Sequence, residues 1–206
     1  MIFRSLAIGL VVLGMGGAAA AQTPQAQEDK RENGWFGNFA FVSSGVDPGA
    51  AKREGIGARG FGFLFDGGAH LQEMIVVGGE LGFQFVSDKA SFGNSTTGGY
   101  KTSTTGIWDL AGYVGVRAPS AAVGSQGWRV TGGVNVGVGI AGGRRSIDNC
   151  IDCDEETLHL DGGVYFEPIV TFFKRGRTSC GVSYRVYREP SDVRNMFVVR
   201  IGRIIG

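Results

Sequence analysis

The sequence predicts an all-β fold of eight antiparallel, up-and-down strands. Three observations carry this: apolar and polar residues alternate with period two through most of the chain, the alternating segments run about ten residues each, and long connections alternate with short ones. Period two is the signature of a strand with two unlike faces, because successive side chains point to opposite sides. Segments of ~9–11 residues match a tilted strand crossing a bilayer and exceed the ~5–6 usual in soluble sheets. Composition agrees. Gly supplies 37 of 206 residues, but there is no Gly-X-Y period and only 5 Pro, which excludes collagen and Pro/Gly disorder. A formal net charge of +1 leaves no basic footprint for a nucleic-acid partner.

Taken in order, positions 1–21 read as a cleaved signal peptide. Arg4 opens it, Leu6 to Ala21 is apolar, and Ala19-Ala20-Ala21 precedes Gln22 as an A-x-A type cleavage site. Positions 22–33 are polar and read as a periplasmic N-terminal linker, and 34–206 as the barrel. The first strand is expected over Trp35–Ser44. The second, Ile56–Phe65, sets Phe61, Phe63 and Phe65 against Gly60 and Gly62. The third, Met74–Ser87, sets Ile75, Val77, Leu81, Phe83 and Phe85 against Glu80 and Gln84. The fourth, Ile107–Arg117, opposes Trp108, Leu110, Val114 and Val116 to Asp109, Tyr113 and Arg117. The fifth, Gln126–Ile140, opposes Trp128, Val130, Val134, Val136, Val138 and Ile140 to Arg129, Thr131 and Asn135. The sixth, Thr157–Phe173, opposes Leu158, Leu160, Val164 and Phe166 to His159, Asp161, Tyr165 and Glu167. The seventh, Ser179–Arg188, opposes Val182, Tyr184 and Val186 to Ser183, Arg185 and Tyr187. The eighth, Asn195–Ile205, opposes Phe197, Val199 and Ile201 to Arg200.

The connections after the first, third and fifth strands are long (Gly45–Gly55, Asp88–Thr104, Ala141–Glu156). Those after the second, fourth and sixth are short (Asp66–Glu73, Ala118–Ser125, Lys174–Thr178), and the last, Glu189–Arg194, is short as well. Long outer loops and short periplasmic turns are the membrane-barrel pattern. The polar face decides between a membrane barrel and a soluble one. It carries Glu80, Asp109, Asp161 and Glu167 against Arg117, Arg129, Arg185 and Arg200. A closed lumen needs such balance, because an unpaired buried charge is very costly. These eight residues are therefore expected to form a lumen ion-pair network, with apolar residues facing lipid. Glycines on the same face, among them Gly78, Gly82, Gly115, Gly133 and Gly137, make room for large polar neighbours in a lumen only as wide as its side chains. Trp35, Trp108 and Trp128 lie near strand ends, where aromatic girdles sit.

With these segments the chain resembles the small outer-membrane β-barrel proteins, the eight-stranded superfamily of OmpA and OmpX type, over Trp35 to Ile205. One feature departs from the pattern: the sequence closes Arg203-Ile204-Ile205-Gly206, where such proteins end in an aromatic residue read by the insertion machinery. The resemblance implies a cell outer-membrane location, folding by the outer-membrane assembly machinery, and outer-membrane lipid and lipopolysaccharide as neighbours. Members serve as structural parts, adhesins, receptors or narrow channels, and a few modify lipids.

Candidate sites are few. Cys150 and Cys153 form a C-x-x-C in the third outer loop. An oxidising compartment favours a local disulfide; a redox pair lacks its βαβ context and a metal site lacks ligands. Cys180 reads as an inert, lipid-facing thiol. His159 and Asp161 share the lumen face in this reading, without a nucleophile motif beside them, and His70 falls in a periplasmic turn. Arg144 and Arg145, at the outer end of the fifth strand, are candidates to hold lipopolysaccharide phosphates. The expected protein is a monomeric outer-membrane barrel with a plugged polar lumen, non-enzymatic, acting structurally or through its outer loops. No catalytic residue, cofactor or metal is expected. A narrow porin-like channel, a barrel-type lipid A-modifying enzyme and a soluble periplasmic lipid-binding barrel are the competing readings.

Overall fold

The structure, a computed structural model, describes residues 34–71, 74–88, 103–147, 156–174 and 178–205. The signal peptide and linker expectations, at 1–33, and the Cys150–Cys153 pair lie outside the described residues.

Eight strands close a barrel: β1 (Gly34–Val46), β2 (Arg59–Leu71), β3 (Ile75–Asp88), β4 (Ser103–Arg117), β6 (Trp128–Ile147), β8 (Gly163–Phe173), β9 (Thr178–Tyr187) and β10 (Val193–Ile205). Two three-residue strands supplement them: β5 (Ala121–Val123) and β7 (Glu156–Leu158), both on β6. Every barrel strand pairs antiparallel with its neighbour in the chain. β1 pairs β10, which joins first to last and leaves no open edge. Closure satisfies every strand edge internally, which is what a strand needs in hydrocarbon. Among the described residues no helix is long and apolar enough to cross a membrane; the strands do the crossing.

The faces sort as the alternation requires. Phe61, Phe63, Phe65, Phe83, Phe85, Leu110, Val114, Val136, Val138 and Ile140 are exposed on the outside. Arg185, Glu167, Glu80, Arg200 and Asp66 are buried on the inside. A soluble barrel has the opposite arrangement, so the outer wall is a hydrocarbon-facing surface and the fold is a transmembrane barrel of outer-membrane type.

Inside, glycine stands directly across from large side chains. Gly78 pairs with Tyr113, Gly82 with Asp109 and Gly133 with Arg117. A Cβ on Gly78 would lie 2.6 Å from the Tyr113 ring. The glycine content of these strands is thus a packing device that lets rings and guanidinium groups lie across the lumen.

The β1–β2 connection carries a helix, α1 (Pro48–Arg53). Its ends are written in the sequence. Asp47 caps the start by accepting the Gly49 and Ala50 amides at 2.8 and 3.1 Å, and Pro48 occupies the first turn, where no amide hydrogen is needed. Gly55, at φ 63°, lets the chain reverse so that the Ile56 amide reaches the Ala51 carbonyl at 2.8 Å, a glycine-terminated helix end. Ala50, Ala51 and Ile56 turn into the outer mouth of the barrel. There they join Val46, Val86, Ile107, Leu158 and Leu160 in one buried apolar cluster.

Candidate functional site

The lumen holds two layers. In the middle, Glu167 is the hub. It accepts from Arg200 Nη2 at 2.7 Å, Arg185 Nη2 at 3.2 Å, Ser183 Oγ at 2.5 Å and Asn135 Nδ2 at 3.1 Å. Arg185 also donates to Glu80 Oε2 at 2.7 Å, and its guanidinium carbon lies 4.0 Å from the centre of the Tyr165 ring. Arg200 Nε reaches Asp66 Oδ2 at 2.7 Å, and Asn38 donates to the other Asp66 oxygen at 2.5 Å. The strands β1, β2, β3, β6, β8, β9 and β10 all contribute, so this cluster ties opposite walls together. Asp109 accepts from Gln84 at 3.0 Å at its edge.

Six of the eight residues expected in a lumen ion-pair network are in the lumen and buried: Glu80, Glu167, Arg185 and Arg200 form ion pairs with one another, whereas Asp109 takes the Gln84 amide and Arg117 donates to the Val116 carbonyl at 3.1 Å. Arg129 is not in the lumen. It sits where β6 runs past β4 to pair with β5, and it is exposed, donating to Ser120 Oγ at 2.8 Å. Asp161 is not either, because the strand it belongs to breaks. Gly143 pairs with Leu158 but Gly139 with Gly163, so residues 140–142 of β6 face the longer stretch 159–162. One extra residue is a β-bulge, and it inverts every side chain beyond it. His159 and Asp161 therefore point outward and are exposed, whereas Leu158 and Leu160, expected to face lipid, are turned inward at 2% and 6% exposure.

Two lumen charges escaped the sequence reading. Asp66 lies on β2, which continues to Leu71 through Gly67 and Gly68 where a turn was expected; its parity with Gly60 and Gly62 was the available signal. His70, placed in that turn, is on the same strand, with its ring 5.2 Å from that of Phe36. Arg145, expected to face lipopolysaccharide with Arg144, is 3% exposed and donates from Nη2 to the Glu54 carbonyl at the end of α1. Arg144 is exposed. Cys180 is exposed on the outer wall, as expected.

The outer rim is held by a clasp between the α1 connection and the β9–β10 connection. Asp192 takes Arg53 Nη2 at 2.9 Å and the Asp161 amide at 2.8 Å on the same Oδ2, and its own amide returns to the Asp161 carbonyl at 2.9 Å. Asp47 pairs with Arg194 at 2.7 Å. The amide of Ala50, then that of Gly49 and the Arg194 guanidinium, hold the Asp47 carboxyl below its ordinary pKa of 3.8. The bulge is thus fixed by the clasp that caps the mouth.

Beside the bulge, on the outside of the barrel, is a cleft of about 230 Å³ whose lining includes Trp108, Gly142, Thr157, His159 and Asp161. Trp108 pairs with Gly142 across β4 and β6. Its indole lies against the Gly142 backbone, where a Cβ would meet ring carbons at 2.5 and 2.7 Å.

No protein-family model matches this chain, and no curated protein matches its sequence. Among solved structures the barrel is similar to Ail, the attachment invasion locus protein of Yersinia pestis, solved with the heparin analogue sucrose octasulfate: TM-score 0.45, 12% identity, 84% of this chain and 96% of that chain. It is similar also to Neisserial surface protein A: TM-score 0.43, 8% identity, 84% and 96% covered.

Proposed function

We propose that this outer-membrane barrel is closed to solutes and works without catalysis, as an envelope component or surface-interaction protein through its outer end. The observation that carries the reading is the double filling of the lumen. Side chains as large as Arg185, Tyr165 and Glu167 are 0–1% exposed in the middle, and an apolar cluster that includes α1 lies above them. An eight-stranded barrel has room for little more than its own side chains. Planar-bilayer recording tests this: the protein is expected to give no unitary steps. Steps that survive rigorous removal of contaminating porins establish the narrow channel instead. The non-enzymatic part is tested by the lipid A profile of cells overproducing the protein, expected to be unchanged and identical to that with His159→Ala.

Contact of Arg144 with lipopolysaccharide phosphate belongs to the same reading. It rests on the exposed position of Arg144 at the outer end of β6 and on the charge-assisted bonds a guanidinium makes to phosphate. Arg144→Ala is expected to weaken retention of the protein on lipopolysaccharide-coated beads, in a salt-dependent way.

A further inference from the structure

The bulge at 159–162 does more than seal the mouth. An uninterrupted strand would send Leu158 and Leu160 to the outside and His159 and Asp161 to the lumen, as the sequence pattern leads one to expect. The extra residue reverses both sets, and bulges recur where a site needs a side chain re-aimed. What it aims outward is Thr157, His159 and Asp161, polar side chains at alternate positions around one cleft.

The cleft's height in the wall is set by register. Directly below it, on the same face, Leu110 pairs with Ile140 and Val138 with Val164. Directly above, Arg144 pairs with Thr157. The cleft therefore lies where the apolar belt gives way to polar residues at the outer end, the depth of lipid head groups and of interfacial Trp. One wall is the Trp108 indole, laid down on Gly142. Against this flat apolar surface stand a carboxylate that only accepts hydrogen bonds, an imidazole and a hydroxyl. The volume, about 230 Å³, falls short of the roughly 300–1,000 Å³ of drug-sized pockets and suits one small ring. The Asp161 backbone is held on both sides by Asp192, which fixes where its side chain leaves the wall.

We propose that this cleft binds a pyranose ring of an outer-leaflet glycolipid head group. The apolar face of the sugar stacks on Trp108, and adjacent hydroxyls donate to Asp161 and bond His159 and Thr157. The choice of a glycolipid as the source rests on the outer-membrane reading above; the choice of a sugar rests on the cleft alone.

The test uses the full-length protein in phosphatidylcholine nanodiscs, with the indole N–H signals of Trp35, Trp108 and Trp128 followed by NMR and Trp108 identified through Trp108→Phe. Two probes are titrated: rough-type lipopolysaccharide incorporated in the disc, and its delipidated core oligosaccharide in solution. Lipopolysaccharide is expected to move the Trp108 signal selectively. Asp161→Asn is expected to weaken the Trp108 response at least tenfold, with Trp35→Phe as a neutral control. Heat-modifiable gel migration confirms a folded barrel for every variant. A Trp108 response of equal strength to both probes supports the sugar site and overturns the membrane source. No selective Trp108 response to either probe, or unchanged affinity in Asp161→Asn, in a barrel that is folded and inserted, overturns the proposal and leaves the outer-membrane reading standing. Failure of the wild-type protein to insert overturns both.

Discussion

The middle of the lumen and its outer mouth are filled by opposite means. The middle is built around ion pairs: Arg185 and Arg200 share Glu167, and Glu80 and Asp66 complete the set, all within 6% exposure, with Leu64, Met196 and Val198 buried among them. The mouth is apolar, with Ala50, Ala51, Ile56, Leu158 and Leu160 from the outer connections packed on Val46, Val86 and Ile107. The difference follows from what each layer has to join. In the middle, the wall is turned inside out and most of its large apolar residues face lipid, so charged groups from many strands meet inside, with smaller apolar side chains such as Ala40, Leu64 and Val198 buried beside them. At the mouth the connections have left the hydrocarbon, and ordinary hydrophobic burial works again.

This contrast is broken most directly at Glu167. With Glu167→Ala, two guanidinium groups lose their shared acceptor inside the wall, and removing one partner of a buried ionic set costs about 3–5 kcal/mol. Chemical unfolding in detergent micelles measures the loss. Glu167→Gln retains the hydrogen-bonding shape but not the charge, and is expected to lose less. Leu158→Ala, in the mouth, is expected to cost about 2 kcal/mol, at the low end of the usual range, because the α1 connection can settle into the space. If Leu158→Ala costs more than Glu167→Ala, the apolar mouth rather than the ionic middle holds the barrel together.

A smaller effect sharpens the same picture from the glycines. Gly82→Ala presses a methyl group on the Asp109 carboxylate of the adjacent strand and is expected to cost about 1–3 kcal/mol, as overpacking does. Gly112→Ala puts the methyl group on the outer wall, with nothing within 4 Å. It is expected to be neutral or to stabilise by about 0.4–1 kcal/mol through the unfolded chain. Parallel unfolding curves of the two variants decide.

How far the sequence was legible follows from these particular residues. Period two reports faces and so strand number, while the balanced charges of the polar face told inside from outside and named most of the ionic layer. Period two cannot report a single inserted residue. Nothing between Thr157 and Gly163 marks the bulge except Gly162-Gly163, and one residue of slip moved His159, Asp161, Leu158 and Leu160 to the wrong faces. Strand length was the second weakness. Gly67-Gly68 reads as a turn by local preference, but the barrel's pairing carries β2 through it, so Asp66 was lost to the lumen; the opposite error kept Arg129 in it. The helix had a readable signature in Asp47-Pro48 and Gly55, an N-cap, a first-turn proline and a C-terminal glycine. It is masked by sitting in a connection among strands.

The smallest expected effect lies in the clasp, whose ion pairs are partly exposed and worth little each. Asp47 makes it pH-sensitive. The Ala50 amide is the first cause that holds its carboxyl below the ordinary value, with Gly49 and Arg194 adding to it. A carboxyl depressed in the folded state contributes stability that is fully present above its ordinary, unfolded value of 3.8 and is lost as pH falls through the lower, folded value. Exchange of the Ala50 amide hydrogen is therefore expected to be protected to the same degree from neutral pH down to about pH 5. Below about pH 4 its protection should fall, after correction for intrinsic exchange, while amides of the middle strands keep theirs. Asp47→Asn can still cap the helix but has no charge to titrate, so its Ala50 protection should follow no such step. High salt should weaken the Arg194 pairing in the wild type and leave the cap bonds in place. A step that persists in Asp47→Asn would show that the Asp47 carboxyl is not the group whose charge controls the cap.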